Sequence, residues 1–113
     1  VARDAFDGDD LAFGNLGRDT VNGGSGKDTV DGGSSCDQLW GGRGADVFVY
    51  GEGYGRDTIH DFQLAFDKID LVSGDARSVR VLENGDLRID FGGADVLIIK
   101  HVGLVSQIDD IFL

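Results

Sequence analysis

Five aspartates recur at nine-residue intervals, Asp10, Asp19, Asp28, Asp37 and Asp46. Carboxylates in fixed register are hard, charged oxygen donors. Brought together by a repeating backbone, they suit a hard divalent cation that takes about six to eight oxygen ligands. Glycines surround them at positions that leave backbone carbonyls uncovered: Gly17, Gly24, Gly26, Gly33, Gly42 and Gly44. Carboxylate and carbonyl oxygens favour calcium over zinc or copper. Magnesium demands a tighter octahedron and fits less well.

These residues belong to nine-residue blocks: AFDGDDLAF at 5–13, GNLGRDTVN at 14–22, GGSGKDTVD at 23–31, GGSSCDQLW at 32–40 and GGRGADVFV at 41–49. The sixth position is always Asp. The eighth is always apolar: Ala12, Val21, Val30, Leu39 and Phe48. Positions seven to nine predict a very short strand, with the middle side chain turned to one side. One such unit cannot bury its apolar residue alone, whereas stacked copies make a continuous core. Stacking also crowds the aspartates, which repel unless a cation neutralises them.

Composition fits this organisation. Gly is 19 of 113 residues and Pro is absent, and the formal net charge is -11. Such a balance argues against nucleic acid and anionic membranes as partners. Residues 1–62 hold most of the glycines, so the chain divides near residue 62 into a repeat region and a region of longer alternating stretches at 63–113. In the latter, SVRVL, LRIDF and VLIIKHV predict an antiparallel meander that caps the last coil. Asn84-Gly85 predicts a type I′ hairpin within it. The expected fold is all-β: a parallel β-roll with an antiparallel cap, acting as one cooperative domain.

Other chemistries lack their residues. Cys36 is the single cysteine, so no internal disulfide or four-cysteine metal site is possible. His60 and His101 have no partners at zinc-motif spacing and read as structural or surface residues. GGSGKDT at 23–29 lacks the first glycine of a phosphate-binding loop, and Lys27 is followed by Asp. DGDD at 7–10 lacks the Glu that closes an EF-hand loop. No Gly-x-Ser-x-Gly elbow appears. The expectation is a non-catalytic chain. No apolar run approaches the ~20 residues of a membrane span. No cleavable signal peptide is visible, and the chain begins at Val1, which reads as a fragment or processed product.

The nonapeptide GGxGxDxUx, met in full at 23–31 and 41–49, resembles the repeat of the RTX (repeats-in-toxin, hemolysin-type) family. DTIHDF at 57–62 followed by DKIDL at 67–71 resembles the closing segment of secreted RTX proteases and lipases. The resemblance implies a right-handed roll with two repeats per coil and calcium between turn loops two repeats apart. Block 5–13 would face 23–31, 14–22 would face 32–40, and 23–31 would face 41–49, giving about three ions. A fourth would lie where 32–40 meets Asp57 or Asp61, residues that could equally be caps. The implied ligands are Asp10, Asn15, Gly17, Asp19, Gly24, Gly26, Asp28, Gly33, Ser35, Asp37, Gly42, Gly44, Asp46, Asp57 and Asp61. Asp67 and Asp70 read as turn and strand-face residues. Trp40 reads as a packing or edge residue. The family further implies a secreted, extracellular bacterial protein with an upstream domain, exported by type I secretion machinery. IDDIFL at 108–113 resembles the export signal of such substrates; a buried final strand is the alternative. A stand-alone adhesive module that binds glycan or protein is the second functional reading.

Overall fold

The computed structural model describes residues 2–4, 11–13, 17–51, 53–63, 66–71, 78–82, 84–92 and 95–100. Among them there are strands and turns only. Asp10, Asn15, His101 and the segment 108–113 lie outside the described residues.

Eleven strands follow in order: β1 (Ala2–Asp4), β2 (Leu11–Phe13), β3 (Thr20–Asn22), β4 (Thr29–Asp31), β5 (Gln38–Trp40), β6 (Val47–Tyr50), β7 (Arg56–Ile59), β8 (Lys68–Leu71), β9 (Ser78–Val81), β10 (Leu87–Gly92) and β11 (Asp95–Ile99). They build two sheets. The first has the order β1-β3-β5-β7-β11-β10-β9, the second β2-β4-β6-β8. Successive repeats therefore alternate between sheets, and two repeats complete one coil. The strands align parallel in the expected registers: Leu11 beside Thr29, Thr20 beside Gln38, and Thr29 beside Val47.

Each repeat strand is only three or four residues long because turn glycines bound it on both sides. Its middle residue points into the core. Val21, Val30, Leu39, Phe48, Ile59 and Ile69 are all at most 1% exposed. In backbone register, Ala12 aligns with Val30, and Arg3 aligns with Val21. Among the described residues the core column narrows toward the N-terminal end, from isoleucine, phenylalanine and leucine to Val30 and Val21.

The meander extends the roll edge to edge. β11 pairs parallel with β7, and β10 and β9 follow antiparallel. Leu87, Ile89 and Phe91 share the buried face of β10, as their alternation predicts. They join one continuous core with the repeat residues. The hairpin between β9 and β10 is not type I′. Leu82 N donates to Asp86 O, and Gly85 N donates to Leu82 O. Gly85 alone of the Asn84-Gly85 pair is left-handed, at φ 88°. This is the three-residue loop with a left-handed glycine at its end. The Asn84 side chain is committed elsewhere, accepting from Asp86 N and donating to its carboxylate.

Candidate metal centre

The turns stack in two columns, one at each side of the roll. Residues 23–28 and 41–46 share one column; residues 32–37 and 53–57 share the other. Within a turn, the second and fourth positions are left-handed: Gly24 and Gly26, Gly33 and Ser35, Gly42 and Gly44, and again Gly53 and Gly55. Ser35 holds φ 77°, a strained value for a residue with a side chain. The columns are tight. A Cβ on Gly42 would lie 2.0 Å from the carbonyl oxygen of Gly24, and one on Gly44 would lie 2.4 Å from that of Gly26. The carbonyls of one turn therefore face the backbone of the next. The first-position glycine answers to a different neighbour: a Cβ on Gly41 would meet the Asp46 carboxylate at 2.5 Å.

The sixth-position aspartates form ladders. Asp37 Oδ1 accepts from Asp19 N at 2.9 Å, and Asp46 Oδ1 accepts from Asp28 N at 2.9 Å. Asp57 Oδ1 accepts from Asp37 N at 3.1 Å, and Asp67 Oδ1 from Asp46 N at 2.9 Å. Each carboxylate thus ties its coil to the preceding one through a single oxygen. The other oxygen of Asp37, Asp46 and Asp57 is buried without a hydrogen-bond partner. A buried carboxylate oxygen in that state is costly unless a proton or a counter-ion reaches it.

The electrostatics agree. Burial, reinforced by Asp67, Asp28 and Asp61, pushes the Asp46 carboxyl up to about 7. Asp37 and Asp57 are also raised, first by burial and then by neighbouring carboxylates, Asp19 for the former and Asp37 for the latter. Asp67 is raised by burial and by Asp61. A divalent cation among these oxygens would restore their ionised forms. No group of three or more His, Cys, Asp or Glu side chains converges among the described residues. An ion in these turns would accordingly draw on backbone carbonyls as well as carboxylates, a donor set that suits calcium. Of the residues expected as ligands, Asp19, Asp28, Asp37, Asp46 and Asp57 lie on the ladders, and Gly17, Gly24, Gly26, Gly33, Ser35, Gly42 and Gly44 lie in the turns that carry them.

Two carboxylates at the C-terminal end of the ladders are engaged differently. Asp61 accepts from Gly41 N and Gly42 N, both at 2.8 Å. Asp67 gives its second oxygen to Gln63 N at 2.8 Å. Both cap the last turn with N–H partners on each oxygen. Asp67 therefore belongs to the ladder, which its reading as a turn residue missed. Asp95 makes a third cap, accepting from Gly53 N and Gly55 N at 3.1 Å each.

The sequence frame also passed over a sixth repeat. Residues 53–59, Gly-Tyr-Gly-Arg-Asp-Thr-Ile, carry its glycines, aspartate and core residue, displaced by the two extra residues Tyr50 and Gly51. A strict period of nine hides this unit; allowing one insertion finds it. Tyr50 anchors the insertion by donating its hydroxyl to Gly55 O, and the Tyr54 hydroxyl donates to Asp31. Trp40 and His60 stack on the outer face of the first sheet with centroids 4.2 Å apart, a packing role for both. His60 also pairs with Gln38.

Comparison with known proteins agrees with this geometry. The model of the RTX calcium-binding nonapeptide repeat matches four copies, at residues 4–35 and 37–56. No curated protein matches the chain. Among solved structures, the extracellular lipase LipA from Serratia marcescens superposes at a TM-score of 0.75 with 29% identity. That match covers 99% of this chain and 20% of the lipase, so the chain spans one fifth of the lipase's length. The AlgE6R2 subunit of the Azotobacter vinelandii mannuronan C5-epimerase shares the fold at a TM-score of 0.70 and 23% identity, covering 100% of this chain and 91% of that one. The AlgE6R3 subunit of the same enzyme gives 0.56 and 26% identity, over 95% and 78%. With its two-sheet roll and aspartate ladders, the chain carries RTX calcium-binding nonapeptide repeats at residues 4–35 and 37–56, folded as a β-roll repeat domain.

Proposed function

We propose that calcium binding and folding of this domain are a single event, and that the domain serves a larger secreted protein. The carrying observation is the set of buried, unmatched carboxylate oxygens on Asp37, Asp46 and Asp57. Without a cation these oxygens oppose the stacking that the apolar column favours. With calcium they become ligands, and binding free energy adds to folding free energy. Three to four ions fit the stacked turns, including one between 32–37 and the turn that ends at Asp57. Roll (1–62) and cap (63–113) fold as one cooperative unit, a reading supported by the unbroken first sheet and the shared core.

In the exporting cell, low free calcium leaves the chain unfolded and fit for a type I secretion channel. Outside, calcium drives assembly, and the finished roll stabilises an upstream domain or nucleates its folding. The likeness to one fifth of a secreted lipase supports this order of events. The parent's activity resides in that other domain; this chain contributes calcium-dependent structure.

The test is far-UV circular dichroism of the chelated protein through a calcium titration, with stoichiometry from calorimetry. Cooperative gain of β signal with three to four ions bound is expected. A complete β signal in excess chelator refutes the coupling.

A further inference from the structure

We infer that Asn84 is a site of spontaneous hydrolytic deamidation in the folded domain, and that its conversion loosens the cap. The chain holds two Asn-Gly dipeptides, Asn22-Gly23 and Asn84-Gly85. The chemistry open to both is the same. The glycine backbone nitrogen, having given its proton to water or hydroxide, attacks the asparagine Cγ. The Cγ–Nδ2 bond breaks and ammonia leaves, closing a succinimide ring. Water then opens the ring to aspartate, or to an isoaspartyl linkage that lengthens the backbone. Nothing is oxidised or reduced, and water is the co-reactant. Glycine favours the attack because it has no side chain to shield its nitrogen.

The fold treats the two dipeptides oppositely. Gly23 is buried, and its N–H donates to Trp40 O in the next coil at 2.8 Å. A Cβ on Gly23 would lie 2.8 Å from Gly41 O, so the site has no room for a new ring. Freeing the Gly23 nitrogen therefore means parting two coils. Asn84 is exposed, and a Cβ on Gly85 would meet nothing within 4 Å. Gly85 N donates to Leu82 O at 3.0 Å, inside the same loop. The bonds that join the Asn84 amide to Asp86 also lie within that loop. Opening the loop alone releases the nucleophile, and loops open at lower free energy than stacked core strands.

The consequences differ as well. Asn84 Nδ2 donates at 3.0 Å to Asp86 Oδ2, the same oxygen that Lys100 Nζ reaches at 2.8 Å. Asp86 is 2% exposed. It precedes β10 and Lys100 follows β11, so the cluster ties the two strands beside their Leu87–Ile99 pair. Deamidation replaces the donor with an acceptor of like charge next to a buried carboxylate. A bond is lost and repulsion is added. At position 22 the product has a precedent within the chain. Asp31 holds the same place in its repeat, and its Oδ1 accepts from Gly33 N as Asn22 Oδ1 accepts from Gly24 N. The roll accommodates aspartate there; the cap loop does not.

The experiment holds the whole calcium-loaded chain at mildly alkaline pH, then unfolds and trypsin-digests samples at intervals. Peptides 19–27 and 81–88 report the two sites by mass. Conversion at Asn84 should run at least about tenfold faster than at Asn22. In chelator, if the β signal is lost, the two rates should converge. If the β signal persists there, the gap should persist with it, a result that refutes calcium-coupled folding and supports this site. N84D should lower the urea midpoint in saturating calcium by more than N22D does. Equal rates in the folded chain, a gap that survives unfolding, or an N84D midpoint at or above that of N22D overturns the inference.

Discussion

Replacing Gly42 with alanine should damage the roll far more than replacing Gly53, although the two glycines share nearly everything. Both are left-handed, at φ 84° and 83°. Both donate their N–H to a capping carboxylate, Asp61 for Gly42 and Asp95 for Gly53. Alanine in that conformation costs about 1–2 kcal/mol at either site. The difference lies in the space around the new methyl group. At Gly53 nothing lies within 4 Å; at Gly42 the Gly24 oxygen is 2.0 Å away, so the stacked turns must separate by more than an ångström. Overpacking of this kind adds about 1–3 kcal/mol. The expected losses are about 2–5 kcal/mol for Gly42→Ala and about 1–2 kcal/mol for Gly53→Ala. Urea denaturation in saturating calcium, followed by circular dichroism and Trp40 fluorescence, measures both. Equal losses would mean that the turns do not stack at the described distance, and the basis for convergent carbonyls would go with them.

Further outcomes follow from the ladders. Asp46→Asn keeps an oxygen for Asp28 N but removes a buried charge. It should weaken calcium binding at least about tenfold while stabilising the roll in chelator; the same direction in both conditions would contradict the dual role. The pH dependence has a definite sign. Asp46, at about 7, and Asp37 and Asp57, also raised, bind protons more tightly folded than unfolded. In chelator, stability should therefore rise as pH falls from about 9, where Asp57 begins to bind its proton, toward the ordinary Asp value near 4, then level off once both states are protonated. Residual far-UV β signal in chelator at pH 8 and pH 5 measures it, and a larger signal at pH 8 than at pH 5 would refute the carboxylate environment. Asp95→Ala strips the acceptors from Gly53 N and Gly55 N and should cost about 1–3 kcal/mol in calcium. Leu39→Ala should cost about 2–5 kcal/mol as a core cavity, measured in the same way.

Much of this was readable in the residues. Identical spacing of Asp19, Asp28, Asp37 and Asp46 predicted the ladders because a solenoid turns sequence period into spatial stacking. The alternation of Leu87, Ile89 and Phe91 placed the buried face of β10 directly. The sixth repeat escaped because two inserted residues broke the frame while leaving the coil intact. Asp67 and Asp95 escaped for a related reason. Each acts by reaching backbone N–H groups 21 to 42 residues away, a relation fixed by coil stacking and by β11 joining β7, with no local motif to announce it. The type I′ reading of Asn84-Gly85 failed because local dipeptide preference yielded to the Asn84 side chain's own bonds with Asp86.

The narrowing of the core column gives the coils unequal grip. Ile69 and Phe48 anchor one end of the second sheet, while Val30 fills the column on the next strand with a smaller side chain. Amide hydrogen exchange should accordingly run fastest at β2 and slow strand by strand toward β8. A version shortened from its first residue through Phe13 should melt close to the parent, whereas one lacking β8 should not assemble. Unzipping thus has a preferred direction, written in side-chain volume.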